Sequence, residues 1–181
     1  MTRKKILQEI EIPAGVEVKI KEKEIIVKGP EGENSREFDT RKLKIEQKNE
    51  KISIENSSAT RKEKRRINTF TAHLKNMILG VQKKFEYKLK ICSVHFPITI
   101  EIKGNKALIK NFLGEKTPRK CNIPQKAEIE INKDIITIKS TDKEIAGQAA
   151  ANFEIATRVT NRDRRVFQDG IFIINKVGKD I

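Results

Sequence analysis

Arg158, Arg162, Arg164 and Arg165 fall close together, three of them inside positions 162–165 of the stretch NRDRRVFQDGIFI (161–173). A guanidinium forks two phosphate oxygens at once, whereas a lysine ammonium acts as a mobile point charge, so arginines held this close suit a run of phosphates. A second cluster, RKEKRR (61–66), supplies Arg61, Lys62 and Arg65, and a third stretch, NFLGEKTPRK (111–120), supplies Lys116, Arg119 and Lys120. The chemistry on offer is capture of a polyanion.

Residues suited to bond-making are scarce. Cys92, Cys121, His73 and His95 are the only cysteines and histidines, with no pair at metal-ligand spacing, so packing is their expected role and neither a metal nor a cofactor is expected. The chain lacks a glycine-rich phosphate loop, a dinucleotide fingerprint and a metalloprotease helix pattern, and its carboxylates are mostly interleaved with lysines. An enzyme is not expected; a Ser or Cys nucleophile meeting a histidine in space is the one arrangement that spacing does not address.

Charge points the same way. The 181 residues carry 39 Lys plus Arg against 25 Asp plus Glu, a formal +14, which implies nucleic acid as the first class of partner and an anionic membrane surface as the second. Residues 1–86 hold 21 basic and 14 acidic side chains and residues 87–181 hold 18 and 11, so each half is +7 and net charge does not choose between them. The aromatic interleaving of an RNA-recognition module is absent, and base stacking is not the expected mode. No apolar run approaches the roughly 20 residues of a membrane span, and nothing at the N-terminus resembles a signal sequence, so the expected setting is the reducing cytosol, without membrane contact.

The elements that must hold these cations come in two copies. IPAGVEVKI (12–20) resembles FPITIEIKG (96–104), IIVKGPEGE (25–33) lies over ALIKNFLGE (107–115), and LKIEQKNEKISIE (43–55) lies over AEIEINKDIITIK (127–139). Alternation in Val16/Val18/Ile20, Ile52/Ile54, Leu89/Ile91, Ile98/Ile100/Ile102 and Ile136/Ile138 predicts strands with one buried and one wet face. TRKE at Thr60 and TDKE at Thr141 read as capping boxes opening a helix in each half. In the first helix Ile67, Phe70, Leu74, Met77, Ile78 and Val81 recur at helical spacing and Gly80 fits a C-terminal stop; at about 100° per residue Arg61, Lys62 and Arg65 point outward. The second helix, 142–158, carries Ala146, Ala149, Ala150, Phe153 and Ala156, small enough to lie close to a sheet.

Each half therefore reads as several short strands, one helix and a final strand: an α+β chain of two tandem similar domains, 1–85 and 86–181, each a small mostly antiparallel sheet packed with one helix. Two structural readings compete with binding. Arg61, Lys62 and Arg65 could form a solvated helix face, although cations there oppose the helix dipole, and the Arg158–Arg165 cluster straddles a helix end where the dipole favours cations. Asp169-Gly170 reads as a turn before the last strand, which would hold the arginines between helix and strand and reduce the ordering needed on binding.

NMILGV, EYKLKICSVHFP, NFLGEK, GQAAANFEIATRV and NRDRRVFQDGIFI, in this order, resemble the L six family of large-subunit ribosomal proteins, called L nine in eukaryotes, in its archaeal and eukaryotic branch. The resemblance implies a non-enzymatic structural protein, single-copy on the ribosome, that binds large-subunit rRNA mainly through its C-terminal domain near the stalk base and translation-factor site. It implies neighbouring ribosomal proteins, and translation factors, as further partners. Asn111 to Lys116 match the family loop, and Arg162, Arg164, Arg165, Phe167, Asp169 and Gly170 match its C-terminal motif. The chemistry assigns RNA contact to the basic residues and loop shaping to Gly114, Phe167, Asp169 and Gly170. A rival reading is an adaptor that docks an acidic protein, with RNA binding secondary.

Overall fold

A computed structural model describes residues 4–21, 24–38, 44–48 and 51–181. The chain divides into two compact units, residues 1–84 and 85–181. The first holds β1 (Lys4–Glu11), β2 (Glu17–Ile20), β3 (Glu24–Gly29), β4 (Gly32–Glu37), β5 (Lys44–Lys48), β6 (Lys51–Ala59) and α1 (Arg61–Gln82). The second holds β7 (Phe85–Cys92), β8 (Thr99–Lys103), β9 (Lys106–Lys110), β10 (Arg119–Asn122), β11 (Glu128–Asn132), β12 (Ile135–Ser140), α2 (Lys143–Ala156), β13 (Gly170–Lys176) and β14 (Lys179–Asp180).

Every strand pair is antiparallel, and the repeat is visible in the sheets. The first unit has sheets in the order β1-β6-β5 and β2-β3-β4; the second has β10-β9-β8 and a five-stranded sheet β11-β12-β7-β13-β14. The α+β class and the tandem repeat hold, with two small sheets in each unit. The expected final strand of the first half does not stay with it: the strand after α1 is β7, which sits between β12 and β13 in the second unit.

Strand alternation and helix stripe meet in one core per unit. Ile10, Val18, Ile25, Val27, Ile52 and Ile54 pack against Ile67, Phe70, Leu74, Met77, Ile78 and Val81 of α1. In the second unit Leu89, Ile91, Ile109, Phe112, Ile136, Ile138 and Ile171 enclose Ala146, Ala149, Ala150 and Phe153 of α2. Burying such a Leu or Ile side chain contributes roughly 1.5–3 kcal/mol before chain entropy is counted, so these alternating positions are what hold the sheets to the helices.

Two end signals work differently from the sequence reading. The Thr60 amide donates to the Glu63 carboxylate at 2.6 Å, the reciprocal half of the expected box. At α2, however, the cap is Asp142 and not Thr141: its carboxylate accepts the Glu144 N–H at 2.8 Å, where an anion also meets the positive end of the helix dipole. Gly80 does not stop α1. It lies buried within the helix, which runs on to Gln82 and ends at Lys83 in extended backbone. Among the described residues no helix is long and apolar enough to cross a membrane.

Candidate nucleic-acid interface

The arginine stretch of the second unit is a loop, residues 157–169, fastened at both ends. At its start Thr157 is buried; its hydroxyl donates to the Phe153 carbonyl at 3.1 Å and accepts the Ile171 N–H at 2.9 Å, tying the end of α2 to the start of β13. At its finish Asp169 is buried and accepts the amides of Val94 (2.7 Å) and His95 (3.1 Å) on one carboxylate oxygen. Its other oxygen lies 2.6 Å from His95 Nδ1, which must carry the proton because an ionised carboxylate only accepts.

Burial pushes the Asp169 carboxyl up, but the bonds from the His95 ring and the two amides outweigh it and hold the group below its ordinary value. Asp169-Gly170 is therefore not a hairpin turn. Asp169 anchors the 94–95 backbone, and Gly170 is the first residue of β13, paired with Cys92 and crowded by the Phe172 ring, which a Cβ would approach to 2.8 Å.

Between the anchors the loop is organised by its own acid. Asp163 accepts the Arg165 N–H on its side chain at 2.9 Å, and its carbonyl accepts the amides of Val166 (3.1 Å) and Phe167 (2.9 Å). Phe167 stacks on His95 with ring centroids 5.2 Å apart, and the Arg162 guanidinium lies 4.8 Å from the Phe167 centroid. Arg158, Arg162, Arg164 and Arg165 are all exposed. The Arg165 side chain is 93 % exposed even though Asp163 lies 3.6 Å away, so that pair is a weak, solvent-screened one.

Arg119 departs from the expected surface role. Its Nε and Nη2 donate to the two Glu115 carboxylate oxygens at 2.8 and 2.6 Å, and Nη1 donates to the carbonyls of Ala156 (3.0 Å) and Arg158 (3.2 Å). Its guanidinium also covers Phe112 at 4.3 Å. Every guanidinium nitrogen is engaged within the unit, and Arg119 is the cation that binds the carbonyls at the end of α2, a role that the competing structural reading gave to the Arg158–Arg165 cluster. The hydrogen bond from Arg119 holds the Glu115 carboxyl below its ordinary value.

The family loop is shaped by left-handed backbone. Asn111 (φ 59°), Leu113 (φ 50°) and Gly114 (φ 75°) make the tight turn around buried Phe112, and a Cβ on Gly114 would lie 3.3 Å from the Phe96 ring. Lys116 is exposed beyond it; Lys120 is exposed on β10 rather than in the loop. Arg119 joins this stretch to the arginine loop, so Lys116 and Lys120 belong to the same unit as Arg158–Arg165. Arg61, Lys62 and Arg65 are exposed on the opening turns of α1 in the other unit.

Sequence reasoning missed Thr157 and His95, whose partners stand 14 and 74 residues away and carry no local signature. Among the described residues no group of three or more His, Cys, Asp or Glu could hold a metal ion. Cys121 is buried, and burial pushes its thiol up to about 11. What the second unit presents is a preformed loop of solvent-facing guanidinium groups on a fixed backbone, a geometry that matches phosphate oxygens.

Comparison with known proteins shows the family of the chain. The family model for ribosomal protein L6 matches twice, over residues 12–84 and 96–170. A protein of Methanobrevibacter smithii named large ribosomal subunit protein uL6 is 44% identical, over 94% of this chain and 96% of its own length. Proteins of the same name from Methanococcus vannielii and Nanoarchaeum equitans are 41% and 44% identical, over 96% and 97% of this chain and 96% of each relative.

Proposed function

The chain belongs to the ribosomal protein L6 family, and from that premise we propose that it is a structural constituent of the large ribosomal subunit that binds rRNA through its second unit. The observation that carries the RNA reading is the loop fastened by Thr157 and Asp169, which offers Arg158, Arg162, Arg164 and Arg165 to solvent from an ordered backbone. Arginine pre-positioned in this way neutralises phosphates at little ordering cost, and released counterions supply much of the affinity. Lys116 and Lys120 extend the contact, while Arg61, Lys62 and Arg65 give the first unit a secondary one. Arg119 supports the loop from within.

Specificity in this reading comes from RNA tertiary shape, because the exposed groups are forks and point charges, and the Phe167 ring is already taken up by His95 and Arg162. The chain occupies one position per cytosolic ribosome, near the stalk base and the translation-factor site, beside other ribosomal proteins, and catalyses no reaction.

The test is sedimentation of extract with immunodetection of the native chain and of a variant carrying Arg162→Glu, Arg164→Glu and Arg165→Glu. The native chain is expected with the large subunit, leaving it after ribonuclease treatment, and the folded variant at the top of the gradient. A native chain that stays bound to a protein partner after ribonuclease treatment would favour the adaptor reading.

A further inference from the structure

At the base of the arginine loop lies a pocket of about 690 Å³, within the range of about 300–1,000 Å³ usual for sites that enclose a small molecule. Both loop anchors line it, and both are already taken up: Thr157 by Phe153 and Ile171, Asp169 by Val94 and His95. Its walls are apolar, because Val94, Ile155 and Phe172, three of the exposed large hydrophobic side chains of the protein, border it. The anchors fix the backbone on two sides of the pocket, so little ordering is needed to fill it.

Three exposed charged side chains complete the lining: Glu154, Arg158 and Arg164. None of the three makes a side-chain hydrogen bond or ion pair among the described residues, although Glu154 and Arg158 stand four residues apart across the end of α2. Glu154 lies in the last turn of that helix, where the dipole disfavours an anion, so the fold gains nothing from its charge. Phosphates at the loop account for the two arginines but are repelled by Glu154. The occupant that satisfies all three carries an anion, an apolar body, and hydrogen-bond donors for a carboxylate.

We propose that the pocket receives one flipped-out guanosine of the rRNA, its base against Val94, Ile155 and Phe172, its N1–H and N2–H donating to Glu154, and its flanking phosphates on Arg158 and Arg164. Guanine is the base that sets two donors side by side on one edge, matching the two oxygens of a carboxylate. Adenine and cytosine place a ring acceptor beside their amino group, and uracil places its one N–H between two carbonyls, so each turns an acceptor toward Glu154. A peptide bearing both charges would meet the same three groups. The neighbouring exposed Arg162 and Arg165 favour RNA, because a phosphate chain continues past the pocket where one acidic side chain ends. The inference rests on the rRNA reading and adds to its recognition of shape a contact with one base edge.

The probe is a fluorescent RNA pentamer with guanosine between uridines, compared with its adenosine and inosine versions on the full chain at low salt, read by anisotropy. The guanosine pentamer is expected to bind about tenfold tighter than the adenosine one, with inosine, which keeps N1–H and lacks the amino group, in between. Glu154→Gln should erase that preference with the melting temperature unchanged, and Arg158→Ala with Arg164→Ala should weaken all three pentamers alike. Equal binding of the guanosine and adenosine pentamers, a preference that survives Glu154→Gln, or guanosine monophosphate binding as tightly as the pentamer would each overturn the proposal. So would Glu154→Gln subunits that lose a neighbouring protein while the guanosine preference stays, which would give the pocket to a protein. A native chain that sediments with the large subunit but shows no preference sinks this inference and leaves the rRNA reading standing. A preference in a chain that stays off the subunit sinks the rRNA reading, and with it the assignment of the guanosine to rRNA.

Discussion

The hydroxyl of Thr157 accepts the backbone N–H of Ile171 at 2.9 Å, a bond that closes the arginine loop at its base. Both groups are buried, so removing the acceptor leaves a donor without water. Thr157→Val is expected to destabilise the second unit by about 1–3 kcal/mol. Urea unfolding monitored on that unit checks it, and an unchanged midpoint would mean that the bond contributes nothing.

Arg164 and Arg165 have no structural duty beyond the Arg165–Asp163 contact, so their substitution should act on RNA and not on the fold. Changing both to Ala is expected to flatten the slope of log K against log salt by about two units, with melting unchanged. Filter binding to large-subunit rRNA across a salt series measures the slope directly.

Arg119 makes the opposite case. Arg119→Met keeps some cover over Phe112 but abandons Glu115 and the carbonyls of Ala156 and Arg158. It should cost about 1.5–3 kcal/mol of stability, the range for hydrogen bonds to charged groups, while the salt slope stays that of the native chain. A flattened slope with intact stability would return Arg119 to the RNA surface.

Asp169 gives the pH dependence. Its folded value is depressed, so its stabilisation is fully present above the ordinary carboxylate value of about 3.9 and is lost as pH falls through the lower folded value. Asp169→Asn should therefore be less stable than the native chain at pH 7, with the gap closing as pH drops toward acid unfolding. Parallel stability curves at every pH would show that the charge of Asp169 is not what anchors residues 94–95.

Gly29 marks a contact in the first unit where nothing larger fits. A Cβ there would lie 2.8 Å from Val81 Cγ2 and 2.9 Å from the Val81 carbonyl. Because one of those neighbours is helix backbone, Gly29→Ala is expected to lower stability by about 1–3 kcal/mol, read as a lower melting temperature.

What could be read from sequence was whatever depends on neighbours in the chain. The helix stripe from Ile67 to Val81, the small residues of α2 and the alternation in Ile136/Ile138 are local periodicities, and each became core. The internal bonds of Arg119 could not be read, because Glu115 is local but Phe112 and the α2 carbonyls meet it only after folding. Asp169-Gly170 carries a turn signature, and only the arrival of Val94 and His95 from far upstream turns it into an anchor. Gly80 did not act as a stop: Val81 after it is buried in the core, and the Lys83 N–H still donates to the Leu79 carbonyl.

The double fastening of the arginine loop also sets an order of events during synthesis. The chain emerges N-terminal end first, so the arginines leave the exit tunnel before Ile171, whose amide is one of their two fixings. Until β13 has paired with β7, the loop lacks the bond that closes it at its base. The fixed spacing of the guanidinium groups therefore comes into being only with the last strands of the fold, and on the proposed rRNA role completion of the unit and readiness to bind become a single step.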